Sequence, residues 1–144
     1  MRLFIALLML AGCAAPEQKP EPTPDASPPV APAPAPQQKE TTAVAGLMES
    51  ARSETAAGNL ASAAASLERA LRIEPRNPRL WQELARVRLK QGQHAQAESV
   101  AARSNSWAGE DRSLRAENWR IIAESRRARG DAEGAKAALE QANR

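Results

Sequence analysis

The chain has no tyrosine, one phenylalanine, one cysteine and one histidine in 144 residues, and each scarcity excludes something. A lone Cys13 cannot close a disulfide within the chain, and Cys13 with His94 is too small a ligand set for a zinc site. With a single histidine, no Ser/His/Asp set exists apart from His94, which follows the Gly92 turn and reads as a surface residue. No glycine-rich phosphate loop is present. The formal charge of +3 arises from 20 basic and 17 acidic residues. That balance is mildly basic, without the long basic run of a nucleic-acid tail. The only phenylalanine is Phe4, so from Lys39 onward the aromatics are Trp81, Trp107 and Trp119 alone. A β-sandwich or barrel needs alternating β-branched and aromatic residues. This stretch is instead rich in Ala, Leu, Glu, Gln and Arg, the strong helix formers, so an all-α fold is expected.

The chain opens with Met1-Arg2 and an unbroken apolar run from Leu3 to Ala11. Nine helical residues reach about 14 Å, roughly half of a bilayer's hydrocarbon core, so the run reads as a signal-peptide core and not a spanning helix. Leu10-Ala11-Gly12-Cys13 resembles the lipobox of bacterial lipoproteins. That resemblance implies cleavage before Cys13 and a covalent lipid on it, the only non-protein group expected. Each buried CH₂ contributes about 0.8 kcal/mol, so several acyl chains anchor firmly. Ala14 follows the cysteine where Asp would signal inner-membrane retention in enteric bacteria, which points to the outer membrane. Cys13→Ser is expected to abolish lipidation and leave an uncleaved precursor; a fatty-acid analogue that still labels the mutant would contradict this.

Nine of the eleven prolines fall between Pro16 and Pro36. Val30 is the only sizeable apolar side chain between Ala14 and Lys39, so this stretch reads as a disordered, extended linker. The expected organisation is a signal peptide over 1–12, a lipidated cysteine and linker over 13–39, and a folded domain over 40–144.

The folded part repeats itself. Gly58, Gly92 and Gly130 align, with Leu47, Trp81 and Trp119 eleven residues before them. Ser50, Leu84 and Ile122 follow, then Ala51, Ala85 and Ala123. After the glycines come Ala63, Ala97 and Ala135, then Leu67, Ala101 and Leu139. Each glycine permits a left-handed turn out of one helix into the next. The paired alanines let two helices approach closely, and the tryptophans fill the space between units. Asn77-Pro78 is a helix start, with Asn as cap and Pro in the first turn. Helices are expected near 42–57, 60–73, 78–91, 94–105, 112–129 and 132–143.

This pattern resembles the tetratricopeptide repeat (TPR), a helix–turn–helix unit of 34 residues. Three such units, near 44–77, 78–111 and 112–144, would form a short α-solenoid. Their expected core is Leu47, Ala51, Gly58, Ala63, Leu67, Trp81, Leu84, Ala85, Gly92, Ala97, Trp119, Ile122, Ala123, Gly130, Ala135 and Leu139. The family's first-helix tyrosine is replaced by Glu54, Arg88 and Arg126, and Trp107 stands in an insertion of four residues within 104–111. In TPR proteins the first helices line a concave groove. The resemblance therefore implies a partner-binding groove of Met48, Arg52, Arg79, Gln82, Arg86, Lys90, Arg120, Glu124 and Arg127. Arginines suit carboxylates. Trp107 either packs over the junction of repeats two and three or is an exposed anchor for a partner. Acids such as Glu110, Asp111, Asp131 and Glu133 lie at helix starts, where the dipole explains them without catalysis.

No enzyme is expected: there is no catalytic set and no metal site. Lipid anchor, long linker and TPR domain together look like the LpoP-type outer-membrane lipoproteins that activate class A penicillin-binding proteins. The resemblance implies a periplasm-facing lipoprotein whose partner is such a peptidoglycan synthase. A pilotin-like scaffold for an outer-membrane complex is the alternative.

Overall fold

The computed structural model describes residues 36–144, with side chains from residue 41. The signal segment, Cys13 and the linker up to residue 35 lie outside the described residues. Six helices follow in order, with no strand among the described residues: α1 (Pro36–Ala56), α2 (Leu60–Ile73), α3 (Pro78–Lys90), α4 (His94–Trp107), α5 (Arg112–Ala128) and α6 (Ala132–Ala142). They form three tandem TPR helix pairs. Two boundaries differ from the sequence expectation by more than one residue. α1 starts six residues earlier than expected, because Gln37 to Glu40 are good helix formers and Pro36 suits a first helical position. α4 runs two residues further, to Trp107, so the insertion partly lengthens a helix and does not form a loop alone.

The three aligned glycines close α1, α3 and α5 in the same way. Gly58, Gly92 and Gly130 have φ of 81°, 73° and 83°. The residue after each glycine donates its N–H five residues back: Asn59 to Glu54 O at 2.8 Å, Gln93 to Arg88 O at 2.9 Å, Asp131 to Arg126 O at 3.0 Å. These are Schellman turns, which satisfy carbonyls that a helix end leaves open. Side chains cap the other ends. Asn77 Oδ1 accepts from the Arg79 N–H at 3.0 Å, and Asp111 Oδ1 from the Leu114 N–H at 3.0 Å.

Each helix packs on its neighbours in sequence, and α3 also meets α5. Ala51 and Ala63, Ala85 and Ala97, and Ala123 and Ala135 are all buried, so helices within a pair approach over methyl groups. Leu67, Leu71, Leu80, Leu84 and Val87 fill the junction of the first two repeats. Ile121, Ile122, Ala101 and Ala138 fill the next, and Val100 borders both clusters. Leu47, Trp81 and Trp119 pack half-buried against these clusters. Leu139 departs from the expected core. It is 37 % exposed, because its equivalents Leu67 and Ala101 are covered by the next repeat and α6 has no following repeat among the described residues.

The second junction is polar where the first is apolar. By the glycine alignment, Gln82, Asn118 and Ser104 take the places of Met48, Leu80 and Ala70. All three are buried. Gln82 Nε2 donates to Asn118 Oδ1 at 3.2 Å and Leu114 O at 3.3 Å. Asn118 Nδ2 donates to Ser104 Oγ at 2.8 Å and Asn105 Oδ1 at 2.9 Å, and Ser104 Oγ donates to Pro78 O at 2.7 Å. The network ties α3, α4 and α5 together. Buried polar groups are tolerated when hydrogen-bonded, and here only the Asn105 Nδ2 is left without a partner.

Candidate partner-binding groove

The α3 face that reads 79, 83, 86, 90 follows the helical period and turns away from the core. Opposite it stands α1, also with one face uncovered. Between them lies a cleft of about 550 Å³. Its floor is apolar, built from Met48, Ala51, Leu67, Val87 and Leu89. Its rim is charged: Arg52, Arg86 and Lys90 on one side of the balance, Glu83 and Glu124 on the other. The structure thus brings together Met48, Arg52, Arg86, Lys90 and Glu124 from the sequence-derived set.

Four residues of that set stand elsewhere. Gln82 is one position off the open face and belongs to the buried network. Arg79 lies at the end of α3, 3.4 Å from Asp111, an ion pair with both side chains well exposed. Arg120 and Arg127 are exposed on α5 but do not line the cleft. Conversely, Thr55 and Glu83 line it and were not read from the sequence. Glu83 was legible, because it continues the 79–86–90 face at i+4 and i−3.

The rim cations differ in how free they are. Arg86 is paired with Glu117, and Arg52 lies 3.7 Å from Glu49. Exposed pairs of this kind contribute about 0–1 kcal/mol, so a partner's carboxylate can replace the internal one at little cost. The positions of the missing family tyrosine are differently used. Arg88 pairs with Glu68, and Arg126 Nε lies 2.8 Å from Glu98, which also holds Arg129 at 2.8 Å. Each arginine reaches back to the second helix of the preceding repeat, so these are clamps between repeats and not groove residues.

Trp107 ends α4 and is 39 % exposed. The Arg76 guanidinium lies over its ring, 5.3 Å from the centroid. Arg76 belongs to the α2–α3 turn, so Trp107 meets the junction of repeats one and two. His94 is half-buried at the start of α4. Among the described residues, no three His, Cys, Asp or Glu side chains stand together as a metal site. No described helix is long and apolar enough to cross a membrane.

A family model for the tetratricopeptide repeat matches residues 54–116. No curated protein matches the chain. Among solved structures, the globular C-terminal domain of Pseudomonas aeruginosa LpoP is similar, at 46 % identity and a TM-score of 0.69. The match covers 70 % of this chain and 95 % of that one. The chain belongs to the LpoP-like tetratricopeptide-repeat proteins. Its folded part is an interaction module that takes a protein partner.

Proposed function

We propose that this protein is a lipid-anchored activator of a class A penicillin-binding protein. In this reading it is anchored in the outer membrane through Cys13 and faces the periplasm. The observation that carries the reading is the likeness to the LpoP domain over nearly all of that domain, with the sequence layout of lipobox, proline-rich linker and TPR unit placed before it. A synthase in the inner membrane lies far from an outer-membrane anchor. With α1 starting at Pro36, the 22 residues of 14–35 at about 3.1 Å each supply up to roughly 70 Å of reach. Tethering also raises the local concentration of the domain at its target. The cleft joins an apolar floor to a charged rim, which suits a binding surface, so the role in this reading is to bind and thereby regulate.

The cleft between α1 and α3 is the proposed contact surface, because it joins an apolar floor to cations that can receive carboxylates. Reversing charge at Arg52 and Arg86 together (Arg52→Glu with Arg86→Glu) is expected to weaken synthase binding by about tenfold or more. Thermal melts should stay close to wild type, since both side chains are exposed and their pairs are weak. Wild-type affinity in the double variant would move the contact off this cleft. In cells, a cross-linked envelope pull-down should recover a class A penicillin-binding protein. Recovery of secretin or barrel-assembly components in its place would favour a scaffold.

A further inference from the structure

The helical side built by α2 and α4 carries a second surface that the groove does not use. Trp81 and Trp107 both stand there, each beneath a guanidinium. Arg103 lies over the Trp81 ring and Arg76 over the Trp107 ring, both 5.3 Å from the centroid. Trp81 is fixed from behind by its Nε1–H, which donates to Pro75 O at 2.8 Å. Pro75 directly precedes Arg76, and Arg103 and Trp107 are one helical turn apart on α4, so the four side chains form one alternating patch. Neither Arg76 nor Arg103 has a carboxylate at ion-pair distance among the described residues, whereas Arg88, Arg126 and Arg129 are all paired. Beside the patch runs a cleft of about 480 Å³ between α2 and α4, with Leu71, Pro75, Trp81 and Val100 along it.

We infer that this patch is a second docking site, and that it takes an acidic, extended segment of a partner protein. A guanidinium held over an indole face is restrained in place while its N–H donors stay without a carboxylate. That is the arrangement that grips a carboxylate through two parallel hydrogen bonds, with less ordering left to do on binding. Two such forks fit a segment with two carboxylates, and the adjoining cleft fits an apolar side chain between them. Trp and Arg are also the residue types that dominate binding energy at protein interfaces. An anionic membrane fits less well, because Arg76 covers the ring that would have to insert among lipids. The module then offers two faces, so it can hold one protein at two points or two proteins at once.

The test uses the lipid-free chain from Ala14, labelled with ¹⁵N. Its three tryptophans give three indole N–H signals, and Trp119 on α5 serves as the internal control. The probe is a peptide repeating Glu-Leu-Pro-Glu-Glu twice, beside its all-Gln counterpart. The Trp81 and Trp107 signals are expected to move saturably with the Glu peptide while Trp119 stays in place. Arg76→Glu with Arg103→Glu should weaken this by about tenfold or more. Arg76→Gln with Arg103→Gln serves as a milder second pair, and an unmoved Trp119 signal reports intact folding for both. The site is overturned by no movement at millimolar peptide, by equal movement of Trp119, by equal binding of the Gln peptide, or by movement only with phosphatidylglycerol vesicles. No synthase enters the measurement, so its outcome is independent of the activator reading.

Discussion

Asn118→Ala is expected to destabilise the domain by about 3 kcal/mol. The side chain is fully buried and makes three hydrogen bonds, to Gln82, Ser104 and Asn105. Alanine leaves a small cavity and strands polar groups that cost about 1–3 kcal/mol each when unsatisfied. A domain of this size has on the order of 5–10 kcal/mol in total, so the loss shows clearly in a denaturant melt. The sharper test is the rescue. Asn118→Leu with Gln82→Met and Ser104→Ala restores the apolar residues that repeat one places at the equivalent positions, Leu80, Met48 and Ala70. Removing the buried polar partners together should return stability to within about 1 kcal/mol of wild type. A triple variant as weak as the single one would mean that the second junction cannot adopt the first junction's packing.

Trp81→Ala is expected to cost about 3 kcal/mol, the lower end for an aromatic truncation, because the ring is half-buried. It loses its packing on the first core cluster, the bond to Pro75 O and the Arg103 stack. Trp107→Ala should cost less, about 1 kcal/mol, since the residue is 39 % exposed and belongs to neither core cluster. Comparing the two melts separates a tryptophan that holds the fold from one that faces outward. Equal losses would contradict the placement of Trp107 at the surface.

The repeats were legible because glycine, alanine and tryptophan recur at fixed spacing, and each of these residues answers to a local demand. A left-handed turn admits little but glycine, and close helix pairs admit little but alanine. The groove was harder to read. Transferring family positions onto Gln82 missed its inward rotation, because sequence alone does not show that Asn118 and Ser104 would be polar partners for it. Arg120 and Arg127 sit on the expected helix, but the cleft narrows to α1 and α3 and takes only Glu124 from α5. Leu139 shows the same limit from the other side. Its repeat position predicts burial, yet burial there depends on a following repeat, and none stands beside α6 among the described residues. The Arg76–Trp107 contact joins residues 31 positions apart in sequence and could not be read from spacing within any one repeat.

The central claim is that the TPR domain itself acts on a synthase by contact. The most direct measurement is the rate of glycan-chain polymerisation by a purified class A penicillin-binding protein in detergent, with and without the lipid-free chain from Ala14. A saturable rise in rate is expected with wild-type protein, and a clear loss of that rise with Arg52→Glu and Arg86→Glu together. An unchanged rate at saturating protein, with no binding to the synthase, would contradict it.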